Sequence, residues 1–265
     1  MKRNSLVVQF KRVVFALALV SAASWAQAAD IHVVSSGGFA AAYKALSPGF
    51  EKKTGHKLIS DWGPSMGETR QAIPNRLARG EQFDVVIMVG DSLDGLVKAG
   101  KVSQKDHELL ALSRIGLAVK AGAPKPDISS VDALKKTLLA ARSIAYSDSA
   151  SGVYLSTVLF KRLGLEEQLK GKARMIPAEP VGDVVARGEA ELGFQQISEL
   201  KPLAGIDIVG PLPEEAQQVT PFSAGIVVGA RQPEAARELL DYLASPEAQD
   251  IIKQTGLDPA PKRQQ

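Results

Sequence analysis

Short apolar runs alternate with helix-like segments along most of the chain, and this alternation constrains the fold more than any other feature. The run at 31–35 precedes a helical pattern at 39–53, and the run at 56–61 precedes a loop and a helical pattern that ends at Arg79. Further strand-like runs lie at 83–89, 115–120, 144–147, 173–177, 192–195, 206–209 and 224–228. Strands that alternate with helices predict an α/β fold with mostly parallel sheets, covered by helices on both faces.

The N-terminal segment has the layout of a secretory signal peptide. Basic residues lead into an apolar run from Val13 to Ala23, which is followed by the small-residue sequence Ala26-Gln27-Ala28. The run is too short to span a bilayer comfortably, so an N-terminal membrane anchor is the less favoured alternative. We expect a signal peptide over residues 1–28, cleavage after Ala28 or one residue later, and a mature chain that works in the periplasm.

The charge of the chain changes once this leader is set aside. The whole chain has a formal net charge of +3, and the leader contains four cations and no anion, which leaves −1 for the mature chain. The basic character of the full chain is therefore no sign of nucleic-acid binding. The chain also has no cysteine, which excludes disulfides and thiolate chemistry.

Sequence motifs for catalysis and for metal binding are missing. The three histidines, His32, His56 and His107, have no metal-ligand spacing and no carboxylate four residues further on. The chain has no nucleophile elbow, no phosphate-binding loop motif and no dinucleotide-binding fingerprint. We therefore expect a protein that is not an enzyme and that holds neither a metal ion nor a cofactor.

Three strands are followed by turns rich in serine and glycine that open helices, at 35–38, 63–67 and 147–152. In an open α/β sheet, ligands bind outside the carboxyl ends of the strands. A helix N-terminus there offers unpaired N–H groups and a partial positive charge, and serine hydroxyls add neutral donors. The turns thus suit an anion, although each serine could equally be an ordinary helix cap.

Six segments, spread in order over nearly the whole mature chain, carry a family resemblance. The first four are IHVVSSGGFAAAYKALSPGFEKKTGHKL, FDVVIMVGDSLDGLVKAGKV, GVYLSTVLFKRLG and EPVGDVVARGEAELGF. The last two are IVGPLPEEAQQVTPFSAGIVV and PEAARELLDYLASPEAQDIIKQTG, of which the second is the most specific. Together these segments are similar to the bacterial periplasmic molybdate-binding proteins.

The resemblance implies the type II periplasmic-binding fold, in which two α/β lobes are joined by two crossovers and enclose a ligand cleft. We expect lobe 1 to comprise residues 29–113 and 223–265, and lobe 2 to comprise residues 114–222. The resemblance further implies that a small anion is held in the cleft and that the closed form is presented to an ABC permease in the inner membrane. We expect the protein to be a monomer.

The residues implied to bind the ligand match the family pattern only in part, and the family's second ligand serine is kept at Ser65. The family's first ligand serine aligns with Gly38, although Ser35 and Ser36 lie just upstream, and its ligand tyrosine aligns with Gln196. Trp62 stands in an altered loop, which favours a ligand that is larger or flatter than a tetrahedral oxyanion. The expected ligand-binding set is Ser35, Ser36, Gly37, Gly38, Trp62, Ser65, Met66, Ser149, Ser151, Gly152, Val181 and Gln196, with backbone amides acting near Ser151 and at Val181.

Several functions remain open on the sequence alone. The first is an importer's solute-binding protein for a molybdate-type oxyanion, and the alternative is a binding protein for a small organic carboxylate. Arg70 or Arg187 could pair with a carboxylate if either faces the cleft, although a solvated helix face is the simpler interpretation of both. An exported enzyme or a sensor on the same fold is a less favoured interpretation, because no acid–base or nucleophile arrangement is evident.

Overall fold

The apolar strands pair into two separate sheets in a computed structural model, which describes residues 28–261. The first sheet has the order β11-β4-β10-β3-β1-β2. Its strands are β1 (Asp30–Ser35), β2 (Lys57–Trp62), β3 (Val85–Val89), β4 (Val102–Ser113), β10 (Thr220–Val227) and β11 (Asp258–Pro259). The predicted signal peptide lies outside the described residues except for its last residue, Ala28.

The second sheet has five strands in the order β7-β6-β8-β5-β9. These strands are β5 (Ile115–Lys120), β6 (Ile144–Ser147), β7 (Ala173–Ile176), β8 (Leu192–Gln196) and β9 (Ile206–Pro211). The chain therefore passes from the first sheet to the second directly after β4 and returns between β9 and β10.

Helices connect the strands and cover the sheets. They are α1 (Gly37–Thr54), α2 (Ile73–Ala78), α3 (Gly90–Lys98), α4 (Val131–Ala140), α5 (Ala150–Tyr154), α6 (Phe160–Arg162), α7 (Glu166–Leu169), α8 (Val181–Ala186), α9 (Ile197–Leu200), α10 (Pro233–Leu243) and α11 (Pro246–Gln254). A π-helical segment, Leu155–Leu159, joins α5 to α6. Within residues 28–261, no helix is long and apolar enough to cross a membrane.

The sheets are mixed, so the expectation of mostly parallel strands is wrong. β1 pairs in parallel with β2 and β3, and β6 pairs in parallel with β7 and β8. β10 runs antiparallel to β3 and β4, and β5 runs antiparallel to β8 and β9. Strand β11 also pairs antiparallel with β4. Apolar periodicity carries no information about the direction of a strand.

Two further local predictions are wrong. The helix expected to end at Arg79 begins only at Ile73, because Asn75 donates hydrogen bonds to the carbonyl oxygens of Gly67 and Thr69 and holds the preceding segment as a loop. Strand β4 has no counterpart among the predicted strands. Its central residues are polar and largely solvent-accessible, so it lacks the apolar run that marks the other strands.

Strand β3, at the centre of the first sheet, is buried on both faces, as the predicted α/β class requires. Val85 and Ile87 of β3 pack in one apolar cluster with residues of α1 and α10. Val86 and Met88, on the opposite face, pack in a second cluster with α2 and α3. Because side chains alternate across a strand, a strand covered on both sides must be apolar throughout.

A buried carboxylate ties the first sheet to the start of α10. Asp84 precedes β3, and its Oδ2 accepts the His32 N–H at 2.8 Å. Its Oδ1 accepts the N–H groups of Arg231 and Gln232 at 2.6 and 3.0 Å. The carboxylate thus joins β1, β3 and the segment that enters α10.

We expect Asp84→Ala to lower the free energy of unfolding by about 2–4 kcal/mol, because three backbone donors lose a charged acceptor. Urea-induced unfolding of both proteins measures the loss. Asp84→Asn keeps one acceptor oxygen and should fall between them. An alanine variant as stable as the parent would show that these hydrogen bonds make no net contribution.

Candidate functional site

A cavity of about 650 Å³ opens where the carboxyl ends of parallel strands from both sheets meet. Residues at or just beyond the ends of β1, β2, β3, β6, β7 and β8 all contribute to its wall. The lining comprises Ser36, Gly37, Gly38, Trp62, Gly63, Pro64, Ser65, Met66, Thr69, Gln71, Val89, Ser147, Asp148, Ser149, Ala150, Ala178, Glu179, Pro180, Gln195, Gln196, Glu199 and Phe222. Its volume falls within the range of roughly 300–1,000 Å³ that is typical of small-molecule sites.

The residues from the first sheet form one side of the cavity, the first wall, and those from the second sheet form the second wall. In the first wall, Ser36 has the clearest capacity to bind a ligand. It directly precedes α1, but its hydroxyl makes no capping hydrogen bond. Its Oγ is buried and has no hydrogen-bond partner among the described residues. Because an unpaired buried polar atom is costly, a hydroxyl beside a cavity is suited to pair with a ligand.

The first turn of α1 lies very close to its neighbours at two glycines. A Cβ atom on Gly37 would collide with Oε1 of Glu199, and one on Gly38 would collide with the ring of Phe222. The Gly38 carbonyl oxygen accepts a 2.7 Å hydrogen bond from the Ser198 hydroxyl. These contacts bring helix α9, which follows the second sheet's β8, against the N-terminus of a first-sheet helix.

The loop after β2 supplies Trp62, Ser65 and Met66 to the wall. Ser65 Oγ accepts the N–H of Val89 at 3.0 Å, which attaches the loop to the end of β3. A hydroxyl that accepts one hydrogen bond still has its own hydrogen to donate, so Ser65 can serve both the loop and a ligand.

The second wall contains a set of linked serines and a residue with unusual backbone geometry. Ser147 Oγ lies 2.9 Å from Oγ of both Ser149 and Ser151. Asp148 accepts the N–H of Ala178 at 3.1 Å, and Ala178 has a φ of 59°. A left-handed conformation is strained for a residue with a Cβ, and such strain is frequent at ligand sites.

Glu199 is the titratable group that its surroundings alter most within the lining. Burial raises the pKa of Glu199 to about 7, a hydrogen bond from Gln195 opposes this rise, and the charge of Asp148 adds to it. Gln195 is itself oriented, because its Oε1 accepts the Val181 N–H at 2.9 Å. Its amide NH₂ is thereby turned away from Val181 and toward Glu199. A carboxyl group in this state can exchange a proton near neutral pH.

The side chain of Gln196 joins the two chain crossovers. Its Oε1 accepts the Ser113 hydroxyl at 2.7 Å, and its Nε2 donates to Thr220 Oγ1 at 3.2 Å. Ser113 ends β4 and Thr220 begins β10, so the amide links the second sheet to both connections. Gln196 lines the cavity as expected, but its side chain already serves a structural contact.

Four residues of the expected ligand-binding set lie outside the lining. Ser35 is fully buried and donates to the Ser36 carbonyl oxygen. Ser151 hydrogen-bonds Ser147, and Gly152 packs against the Ser147 carbonyl group. The Val181 N–H, expected to bind a ligand, is used by Gln195. These groups therefore support lining residues.

Neither arginine considered for carboxylate pairing is part of the lining. Arg70 is exposed, and Arg187 forms ion pairs with Glu179 and Glu189. Among the residues that the structure describes, those lining the cavity include three carboxyl groups, of Asp148, Glu179 and Glu199, and no Lys, Arg or His. Residues 28–261 also contain no cluster of histidine, cysteine or acidic residues suited to a metal ion.

Gln195 and Glu199 line the cavity but are absent from the expected ligand-binding set. Both lie near the end of β8, beside the expected residue Gln196. Glu199 stands in the sequence Ile-Ser-Glu-Leu, which is typical of an amphipathic helix. The only available signal was its position three residues beyond a strand end, where cleft residues of this fold class occur.

Comparison with known proteins places the chain among exported binding proteins. The family model described as bacterial extracellular solute-binding protein matches residues 31–258. The molybdate-binding protein ModA of Azotobacter vinelandii is 30% identical over 255 residues, covering 92% of this chain and 96% of ModA. The structure of the Azotobacter vinelandii periplasmic molybdate-binding protein superposes with a TM-score of 0.71 at 22% identity, covering 88% of this chain and all of that one. The predicted type II periplasmic-binding fold and family are confirmed.

One relative contradicts the expectation that the chain is not an enzyme. A Pseudomonas sp. protein named aconitate isomerase is 57% identical over 229 residues, which cover 86% of this chain and 87% of that protein. The expectation rested on missing sequence motifs. A carboxyl group that acts alone in a cleft leaves no sequence motif. The lack of catalytic motifs is therefore not enough to exclude an enzyme.

We expect ionisation of Glu199 to make stability depend on pH. The folded state keeps the Glu199 proton up to a pKa of about 7, whereas the unfolded chain releases it near its ordinary value, so stability falls as pH rises between these values. The loss should be about 1–3 kcal/mol. Comparing urea unfolding of the parent and Glu199→Gln across this range isolates the effect. Parallel stability curves would contradict it.

Proposed function

The chain belongs to the bacterial extracellular solute-binding protein family, and from that premise we propose that it is an isomerase for a small unsaturated tricarboxylic acid of the aconitate type. The relative named aconitate isomerase supports this substrate class. The observation that carries the proposal is the placement of Glu199, a carboxyl group with a pKa near 7, at a cleft wall rich in neutral donors.

The proposed lobes follow the predicted boundaries. Lobe 1 comprises residues 29–113 and 223–265, and lobe 2 comprises residues 114–222. The two sheets support this division, although β10 already begins at Thr220, slightly before the second boundary. Closure of the lobes about the crossovers would bring donors from both walls onto one ligand. Release to an ABC permease is a second role that the family leaves open.

An organic acid replaces the molybdate-type oxyanion as the proposed ligand. The relative named for aconitate is 57% identical to this chain, compared with 30% for the molybdate-binding relative. A cavity of about 650 Å³ also has room for a six-carbon acid together with ordered water. The altered residues Trp62 and Gln196 lie in its lining, which agrees with a change in ligand.

The proposed reaction is a 1,3-shift of one proton. Aconitate has a methylene carbon next to its double bond, and this carbon and both carbons of the double bond each carry one carboxylate. Removal of a methylene proton leaves an electron pair that spreads over the three-carbon system and its carboxylates. The double bond moves as a proton is added to the former vinyl carbon. Atoms and electrons balance, and the geometry of the new double bond depends on how the site holds the carbon chain.

Glu199 is the proposed proton carrier. As a carboxylate it can accept the methylene proton, and the resulting carboxylic acid can return a proton to the other carbon. A pKa near the working pH suits both steps. Gln195 orients the carboxyl group, and the close packing of Gly37 against Glu199 keeps it beside the N-terminus of α1.

Neutral donors are proposed to hold the substrate carboxylates. The unpaired Ser36 hydroxyl and the first amides of α1 form one group, and Ser65 and Ser149 extend it. Donors fixed in place stabilise charge that develops during reaction without reorganising. Of the expected ligand-binding set, we propose contacts from Ser36, Gly37, Gly38, Trp62, Ser65, Met66 and Ser149, with Ser35, Ser151, Gly152, Val181 and Gln196 supporting them.

Isomerase activity is tested directly by proton NMR of cis- or trans-aconitate with the mature protein. We expect interconversion, with deuterium from D₂O entering the methylene and vinyl positions. Glu199→Gln should lower kcat by about 100- to 10,000-fold, because the amide cannot carry the proton. Glu179→Gln, which changes another acidic lining residue in the same way, is the matched control.

Two outcomes would separate the candidate roles. Binding of aconitate by calorimetry without interconversion would leave capture for a permease as the function. Interconversion that is undiminished in Glu199→Gln would reject Glu199 as the proton carrier. A rise in melting temperature with molybdate and none with organic acids would indicate that the ligand is an oxyanion of the molybdate type.

The pH profile offers a second test. We expect kcat/KM to rise with pH through about 7 as the pKa of Glu199 is passed. Asp148→Asn removes a negative charge that raises this pKa, so the profile should move to lower pH. An unmoved or oppositely moved profile would mean that another group limits the rate.

A third test concerns the unpaired hydroxyl. Ser36→Ala should weaken aconitate binding by roughly 10- to 100-fold, since a hydrogen bond to a charged group is worth about 1.5–3 kcal/mol. Ser35→Ala is the matched control, because the neighbouring hydroxyl lies outside the lining. Calorimetric titration gives both affinities. If both variants lose the same affinity for aconitate, the loss arises from a disturbed strand end and not from a lost contact between Ser36 and the ligand.

A further inference from the structure

We infer that Trp62 is the residue by which the cleft selects planar, conjugated acids over saturated acids of the same charge. This inference rests on the proposed function for its ligand class. It concerns binding selectivity, which no proton transfer is needed to measure.

Trp62 is a large aromatic residue of the cavity lining. It ends β2, where it pairs in register with Ser35 of β1, and thus lies beside the turn that carries Ser36. The residue is 37% exposed although it belongs to the cavity lining. An aromatic ring of this size that is left uncovered at a ligand site offers a flat face for stacking.

Neighbouring residues hold both the ring and the backbone of Trp62. Tyr43 contacts it edge-to-face, with ring centroids 5.9 Å apart and an interplanar angle of 76°. The Arg76 guanidinium donates to the Trp62 carbonyl oxygen at 3.2 Å and pairs with Asp61 at 2.5 Å. That hydrogen bond from Arg76 holds the pKa of Asp61 below its usual value, which keeps the pair charged. A platform fixed in this way loses little freedom when a ligand stacks on it.

Lys44 makes the ring suitable for an anion. Its Nζ lies 4.7 Å from the Trp62 ring centroid, and Lys44 is not part of the cavity lining. The face of an aromatic ring is electron-rich and by itself repels anions. A cation over the ring offsets that repulsion. The pair therefore brings positive potential to a wall whose own lining residues include three carboxyl groups and, among those described, no cation.

The contrast between two acids isolates the effect of planarity. Aconitate has a double bond conjugated with carboxylates, so much of the molecule is flat. Tricarballylate has the same carbon chain and the same three carboxylates but is saturated, and it has no allylic proton to transfer. Stacking favours the flat molecule, whereas hydrogen bonds and charge favour neither.

The experiment uses the mature chain beginning at Ala29. The whole sequence has two tryptophans, Trp25 in the leader and Trp62, so tryptophan fluorescence of this protein reports on Trp62 alone. We expect trans-aconitate to change that fluorescence and to bind about five- to tenfold more tightly than tricarballylate. Calorimetry gives the affinities of both acids for the parent and the variants.

The variants test whether the ring carries the preference. Trp62→Ala should reduce the affinity ratio of the two acids to about one, and Trp62→Phe should retain most of it. Leu109→Ala, which truncates another partly exposed apolar side chain of the first sheet, is the matched control and should keep the parent ratio. Thermal unfolding of each variant checks that it is folded.

The outcomes distinguish this inference from the proposed function. A Trp62-dependent ratio without isomerisation supports the inference and rejects the isomerase. Isomerisation with a ratio unchanged in Trp62→Ala rejects the inference and leaves the isomerase standing. Binding of neither acid, or equal binding of both by the parent protein, also overturns the inference.

Discussion

The hydrogen bonds of Gln196 at the two crossovers fix the end of β8, from which Gln195 and Glu199 reach the cleft. The amide joins the end of β4 to the start of β10 while belonging to β8. Helix α9 follows at once, and its Ser198 hydroxyl reaches the carbonyl oxygen of Gly38 in the first sheet's helix α1. Glu199 lies next to Ser198, so its place beside Gly37 follows from contacts made between the two sheets. The position of this carboxyl group thus depends on how the sheets meet.

The surroundings of Glu199 favour its protonated, neutral form. Burial and the neighbouring Asp148 both raise the pKa of Glu199, and the hydrogen bond from Gln195 limits that rise. The wall nearby supplies hydroxyls and helix amides in place of cations, and the Ser36 hydroxyl has no partner among the described residues. Such an arrangement suits a ligand that brings its own negative charges and that exchanges a proton with the wall. The chemistry we propose follows from this balance, with the relative's activity as its second support.

The parts of the structure that could be predicted are those in which local sequence and burial agree. Strand β3 is apolar because both of its faces are covered, and the serine-rich turn before α1 marked Ser36 as a donor. Strand β4 escaped prediction because its exposed centre is polar, and the antiparallel pairings did so because periodicity has no direction. Glu199 could not be identified because its pKa arises from residues brought together only by the fold. Its helix alone looks like any short amphipathic turn.

The absence of Lys, Arg and His from the described part of the lining also has a consequence for how long a ligand stays bound. A polyanion clasped by arginine forks would be retained, because each bidentate pair must break before the ligand departs. Here the first wall offers single hydroxyls and amides, and carboxyl groups stand close to wherever a substrate carboxylate would lie. Departure then needs only the rupture of separate single hydrogen bonds from hydroxyls and amides, with no bidentate ion pair to break. Short residence is a disadvantage for a receptor that must hold its cargo until it meets a membrane partner. For a protein that converts its ligand, short residence lets the product leave and the next substrate molecule enter.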